Sequence, residues 1–238
     1  MSSVLIIIPT YNEIENIERI VNAVLALNPD YNILIVDDGS PDGTAQKVGE
    51  LMEQYDGRLY MIERSGKLGL GTAYIEGFRY ALNNDYAYIF EMDADFSHNP
   101  KDISRLLEAV KEEGVGMAVG SRYMKEGGFK NWSAYRILLS YGASLYTRLI
   151  TWMPVKDATA GFVVYKREVL EKMDLNKIEF IGYAFQIEMK YYCYSLGYRI
   201  KEVPITFVDR ELGTSKMNSS IIKEAIFGVI KMRLRKYA

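Results

Sequence analysis

The chain opens with Val4-Leu5-Ile6-Ile7-Ile8, an apolar run closed by Pro9, the pattern of a strand buried on both faces. Ile14, Ile17, Ile20, Val21, Val24 and Leu25 then recur at helical spacing and predict a helix over 14–27. Ile33-Leu34-Ile35-Val36 reads as a second buried strand, ended by the turn-forming run Asp37-Asp38-Gly39-Ser40-Pro41-Asp42-Gly43. The pattern continues with a polar helix over 44–54, a short strand over 59–62 and a helix over 72–82 opened by Gly66-Lys67-Leu68-Gly69-Leu70-Gly71. A strand over 86–92, a helix over 102–112 and a strand over 116–120 follow. Strands alternating with helices at this spacing predict an α/β protein: a mostly parallel sheet flanked by helices, with right-handed crossovers.

Beyond residue 120 the pattern is less regular. Arg136 to Met153 is a helix-length stretch rich in Leu, Ile, Tyr and Trp; a strand over 162–165 and a helix over 184–196 follow. A further strand over 200–207 contains Pro204 and is therefore an edge strand or a broken one. In the last segment Ile222, Ile226, Val229, Ile230 and Leu234 fall at helical spacing among Lys223, Lys231, Arg233, Arg235 and Lys236, which predicts a C-terminal basic amphipathic helix. Such a helix fits a membrane surface or the flank of a core, and the 136–153 stretch has the same two readings. The longest run without Lys, Arg, Asp or Glu is Met1 to Asn12, shorter than the ~18 apolar residues of a spanning helix. No basic segment precedes the first apolar run, so a cytoplasmic location is expected.

Composition narrows the classes. With 238 residues, 49% hydrophobic and 13% aromatic, the chain is long enough and apolar enough for one large or two small ordered domains. Cys193 is the only cysteine and His98 the only histidine, which excludes intrachain disulfides and Cys- or His-cluster zinc sites and argues against a Ser-His-Asp hydrolase. The net charge of −2 conceals an asymmetry: residues 1–100 hold 16 acidic and 6 basic side chains, residues 101–238 hold 15 and 23. A −10 part and a +8 part point to two different charged partners. No nucleic-acid partner is expected.

In open parallel sheets, ligands bind beyond the carboxyl ends of the strands, and the unusual loops 9–13, 37–40 and 93–95 all follow strands. Asp93-Ala94-Asp95 offers two carboxylates at a strand end, enough to hold Mg2+ or Mn2+ with substrate phosphate oxygens completing the shell; a solvated turn is the alternative. Asp37, Asp38 and Asp42 read equally as caps of turn N–H groups, and Glu13 as a helix first-turn acid. A nucleotide in the crevice would use Glu13 and Asp38 as acceptors for its hydroxyl and N–H groups. Gly66 to Gly71 lacks the ending of a P-loop and the spacing of the dinucleotide fingerprint, and reads as a flexible strand-to-helix loop. Cys193 reads as a small core residue.

Taken in order, PTYNE at 9–13, DDGSPDGT at 37–44, LGLGTAY at 68–74, DADFSHNP at 93–100, GSRY at 120–123 and DR-x4-SK at 209–216 resemble the dolichol-phosphate (polyprenol-phosphate) mannose synthases. These are inverting GT-A glycosyltransferases of family 2, and the resemblance runs from Val4 to about Lys216. It implies a GT-A catalytic domain over 1–216, with a nucleotide-sugar part over 1–120 and an acceptor part over 121–216, followed by the amphipathic helix over 217–238. It implies that Pro9, Tyr11, Glu13, Val36 and Asp38 line the guanosine pocket of GDP-mannose, and that Asp93 and Asp95, with Ala94 between them, hold the metal and the diphosphate. The metal shell of the family can include a polar side chain two residues further on, here Ser97. Arg122, Arg136 and Ser140 match positions that meet the acceptor phosphate, while Arg210 and Lys216 match the pair that closes over the donor diphosphate. The chemistry itself falls to Asp95 and Arg122. Because the acceptor implied is polyprenyl (dolichyl) phosphate, a membrane surface is an expected partner and a separate membrane subunit a second candidate, since some members of the family add transmembrane helices and some rely on separate membrane subunits.

The physical chemistry agrees. A polyprenyl monophosphate is already anionic and attacks the sugar C1 without a strong general base, so the shortage of histidine costs nothing. Two anionic reactants call for arginine on the acceptor and a metal on the leaving diphosphate. The alternatives are another donor such as UDP-glucose, a receiver-like signalling module built on Asp37-Asp38, and a silent nucleotide-sugar-binding protein; the first stays in the same enzyme class.

Overall fold

The computed structural model describes residues 3–209, 219–235 and 237. Its main sheet has seven strands: β1 (Val4–Thr10), β2 (Tyr31–Asp37), β3 (Leu59–Glu63), β4 (Tyr88–Glu91), β5 (Val115–Ser121), β7 (Val163–Lys166) and β8 (Arg199–Pro204). Their spatial order is β3-β2-β1-β4-β7-β5-β8. All pairings are parallel except those of β7, which is antiparallel to both β4 and β5. The expected mostly parallel α/β sheet is therefore present, with one inverted strand.

The unbroken apolar runs are buried on both faces because helices cover both sides. Leu5, Ile7, Leu34 and Val36 pack with α3 (Leu70–Asn83) and α7 (Tyr183–Ser195). Ile6, Ile8, Ile33 and Ile35 pack with α1 (Ile17–Leu25), α2 (Thr44–Gln54) and α4 (Asp102–Lys111). Cys193 lies fully buried in the first of these layers, and burial pushes its thiol up to about 12.

The predicted strand over 200–207 is broken, as Pro204 requires. β8 ends there, and β9 (Thr206–Val208) leaves the main sheet to pair in parallel with β6 (Gly128–Lys130), a short strand the hydropathy pattern does not mark. α6 (Arg167–Lys172) is likewise too short to announce itself. The glycine loop is less free than its composition predicts. A Cβ on Gly71 would stand 2.8 Å from the Phe185 ring and 2.9 Å from the Phe180 carbonyl, while the Gly71 N–H donates to Ile181 O at 2.9 Å. Gly71 is there so that α3 can approach the 180–185 segment.

α5 (Ala134–Thr151) is built inside out. Its buried side chains are Ser144, Thr147 and Thr151, whereas Tyr135, Leu138, Leu139, Tyr141, Leu145 and Leu149 face outward. Thr147 and Thr151 satisfy themselves by donating to the carbonyls four residues back, at 2.9 and 2.7 Å. Leu149 is 66% exposed and the adjoining Trp152 72%. α8 (Ser219–Leu234) packs against α5, and Phe227, Ile230 and Leu234 on it are also exposed. No helix among the described residues is long and apolar enough to cross a membrane.

Candidate active site

β1, β2 and β4 run parallel side by side, so the three loops after them meet at one sheet edge. The first two are stitched together. Asp38 N–H donates to Thr10 O at 2.9 Å, Thr10 Oγ1 donates to Asp37 Oδ1 at 2.8 Å, and Asn12 N–H donates to Ser40 Oγ at 2.9 Å. Asp37 also accepts from the Ser40 N–H and hydroxyl, and Asp42 from the N–H groups of Ile14 and Thr44, so both serve as turn caps. Gly39 turns the loop at φ +67°.

Pro9 and Val36 are register partners at the ends of β1 and β2. Tyr11 lies under the Lys67 ammonium, 5.2 Å from the ring centre, and Glu13 accepts from Asn16 Nδ2 at 2.9 Å. Asp38 is held by a residue the motifs do not reveal: Arg64, at the end of β3, donates to its carboxylate from Nε at 2.7 Å and from Nη2, and reaches Thr72 Oγ1 at 2.7 Å with Nη1. A strand-end arginine opposite an acidic loop was the available signal.

The third loop carries the two aspartates. Asp95 is 9% exposed and its Oδ1 accepts the Ser97 N–H at 3.0 Å, while the Asp93 side chain is 40% exposed. One carboxylate is anchored and one reaches outward. Among the described residues no cluster of three or more acidic, His or Cys side chains adds a further ligand. A hard-oxygen set of two carboxylates fits Mg2+ or Mn2+, which keep water and take phosphate oxygens, and does not fit a fully protein-caged ion. Tyr74 lies fully buried beside this loop; burial first, then the charges of Asp93, Glu91 and Asp95, push its phenol well above its ordinary value.

His98, read from sequence only as a residue that excludes other chemistries, belongs to this loop. Its Nδ1 accepts the Asp93 N–H at 3.3 Å and its ring stacks on Phe162 at 4.9 Å. Burial pushes the imidazole down to about 4, so it stays neutral and can act as an acceptor. The same ring lines a water-sized void together with Arg122, Gly120, Ala160, Gly161, Ile205 and Phe207, which places the 93–98 loop beside the arginine.

Arg122 follows β5 and is buried. Its guanidinium makes a two-pronged ion pair with Asp157, at 2.7 Å from Nε and 2.6 Å from Nη2, and donates to Thr159 Oγ1 at 2.9 Å. The rings of Tyr123, Phe129, Trp132 and Phe207 surround it at 5.4 to 5.7 Å. Arg136 donates to Asp209 at 2.9 Å and stacks over Trp132 at 4.1 Å. Ser140 stands half-buried on α5 beside the Tyr123 phenol. The arginines thus sit together around Trp132, Arg136 held by Asp209, the first residue of the DR-x4-SK run, and Arg122 by Asp157, which no motif singles out. Arg210 and Lys216 lie outside the described residues.

Comparison with known proteins matches this architecture. The model of glycosyl transferase family 2 matches residues 5–174. A polyprenol monophosphomannose synthase of Mycolicibacterium smegmatis is 46% identical over 231 residues, 97% of this chain and 87% of that protein. An undecaprenyl-phosphate mannosyltransferase of Micrococcus luteus is 43% identical over 97% of this chain and 94% of its own length. Among solved structures, glucosyl-3-phosphoglycerate synthase of Mycobacterium tuberculosis, in complex with Mn2+, UDP and its product, superposes with a TM-score of 0.68 at 15% identity, over 99% of this chain and 80% of that one. A mannosyltransferase of Pyrobaculum calidifontis in complex with GDP-Man and Mn2+ gives 0.59 at 16% identity, over 98% and 70%. At those identities the structures speak for the GT-A fold alone, whereas the sequence relatives extend along almost the whole chain. The protein is a glycosyltransferase: the chain belongs to glycosyl transferase family 2 and, within it, to the polyprenyl-phosphate mannose synthases.

Proposed function

We propose that this enzyme moves mannose from GDP-mannose to a polyprenyl phosphate, with Mg2+ or Mn2+ at Asp93 and Asp95, and with inversion to a β-linked product. The observation that carries this reading is adjacency: His98 bonds the Asp93 backbone and packs with Arg122 around one water-sized void, so the loop proposed to hold the cation lies next to the arginine proposed to hold the acceptor phosphate. Held by Asp93 and Asp95, the metal would supply charge neutralisation to the leaving diphosphate. The remaining work belongs to the chain. Glu13 and Asp38 accept hydrogen bonds from the nucleoside, with Pro9, Tyr11 and Val36 forming the walls and Ala94 the floor between the aspartates. Arg122, Arg136 and Ser140 orient the acceptor phosphate, and Arg210 with Lys216 closes over the donor. Holding two anions in line replaces a bimolecular encounter by a positioned one, and the acceptor oxygen needs no base to deprotonate it.

The outward face of α5, continued by Phe227, Ile230 and Leu234 on α8, supports a peripheral position on the cytoplasmic face of the membrane, where the acceptor's tail lies. A bilayer surface is the occupant proposed; a separate membrane subunit is the competing one. Donor choice is tested by comparing transfer from GDP-mannose and UDP-glucose to the same polyprenyl phosphate. Preference for GDP-mannose is expected, and equal or faster transfer from UDP-glucose overturns the donor assignment. In the same assay Asp95→Ala should lose more than the roughly 10- to 100-fold that loss of an outer-shell partner costs; near-normal turnover excludes Asp95 as a metal ligand.

A further inference from the structure

α7 carries a fully buried lysine that the mechanism above does not use. The three N–H groups of Lys190 find three acceptors: Ala160 O at 2.7 Å, Gln186 O at 3.1 Å and Gln186 Oε1 at 3.2 Å. The Gln186 amide in turn donates to Oε2 of Glu91, whose other oxygen accepts the Tyr165 hydroxyl at 2.6 Å. Glu91, Gln186 and Lys190 are all buried, and the charges that act on the ammonium are those of Glu91, Asp157, Arg122 and Glu202. Burial pulls the Lys190 ammonium down to about 8, the mark of a charge held out of water at a cost, and the Glu91 carboxyl is buried with it. Apolar side chains of similar volume would fill this space more cheaply, so stability alone does not explain the pair.

The two ends of the network explain it better. Glu91 ends β4, two residues before Asp93. Ala160 belongs to the segment 157–161, in which Asp157 and Thr159 grip Arg122 and Ala160 and Gly161 line the cavity with His98. Asp157 is itself tethered, its N–H donating to Glu202 at 3.0 Å. We propose that Lys190 is a positioning residue for the acceptor side, fixing the 157–161 segment through the Ala160 carbonyl and tying it, by way of Gln186, to the strand that delivers the metal-binding aspartates. Its charge also offsets that of Asp157, leaving more of the Arg122 charge for an anionic acceptor. This rests on the reading that Arg122 serves the acceptor phosphate.

The test is a split between substrates. Lys190→Met keeps length and bulk and removes charge and donors. It should raise KM for polyprenyl phosphate about tenfold or more while leaving KM for GDP-mannose within about twofold. Lys190→Arg, which restores charge and donors, should recover part of the loss. Hydrogen exchange of the amides over 157–161 should quicken in Lys190→Met, with strands β1 and β2 unchanged. Unaltered acceptor KM, or equal shifts in both KM values, overturns the proposal. Should Lys190→Met fail to fold, Gln186→Met removes one of the three acceptors and the link to Glu91. It must then give the same split at smaller amplitude, and no split overturns the proposal. A wild-type enzyme that transfers nothing to polyprenyl phosphate overturns the proposed function instead, and the exchange measurement still decides the part played by Lys190.

Discussion

Arg122 is the residue at which burial, charge and chemistry meet. An arginine in a ring of aromatic side chains would carry an uncompensated charge without Asp157, so the pair stands or falls together. Removing one partner of a buried ion pair costs about 3–5 kcal/mol. Asp157→Ala should therefore lower the unfolding free energy by about that amount, read by denaturant titration, and weaken acceptor binding as well; a loss below about 1 kcal/mol would mean that Arg122 finds another partner or water. Lys190 gives a second prediction, through pH. Its folded pKa of about 8 lies below its unfolded value near 10.4, so between these limits the unfolded chain binds more protons and stability rises with pH. Wild type should gain stability relative to Lys190→Met from pH 8 to 10.5. A constant gap between the two melting curves contradicts the buried, charged lysine. Motif reading reached Arg122 but neither Asp157 nor Lys190, because their function is to hold other residues and their neighbours in sequence carry no pattern.

At the scale of elements, periodicity was enough to find β1, β2, β4 and the helices between them, since double burial leaves unbroken apolar runs. It was not enough to give the direction of β7, which depends on partners far along the chain. Nor does it say which way an amphipathic helix faces: in α5 the small hydroxyl side chains go inward and the leucines outward. That orientation makes a prediction. Replacing Leu138, Leu149 and Trp152 by Gln should leave stability within about 0.5 kcal/mol, because exposed positions cost little. Sedimentation with lipid vesicles should fall at least about tenfold, given ~1.5–3 kcal/mol for each large apolar side chain withdrawn from water. Unchanged sedimentation would move the contact elsewhere. The helix α3 offers the opposite case, where space is lacking: Gly71→Ala drives a methyl into Phe185 and the Phe180 carbonyl. It should destabilise the fold by about 1–3 kcal/mol, and a neutral effect in thermal melting would show that the 180–185 segment can yield.

At the scale of the molecule, the near-neutral total charge divides along the line of the chemistry. The acidic first hundred residues build the edge where Asp38, Asp93 and Asp95 meet, an edge that suits a diphosphate once a divalent ion is bound. The basic remainder supplies Arg122 and Arg136, which need no ion. The fold brings the two together through one neutral histidine, a role that a count of histidines could not disclose. The most direct measurement is transfer itself. The full chain is given GDP-mannose labelled in the sugar, a polyprenyl phosphate and Mg2+ or Mn2+, and the lipid phase is extracted and its anomeric configuration read by NMR. Label is expected in the lipid as a β-mannosyl phosphate, abolished by EDTA and restored by metal; label that stays in the aqueous phase, or an α-linked product, contradicts the proposed transfer.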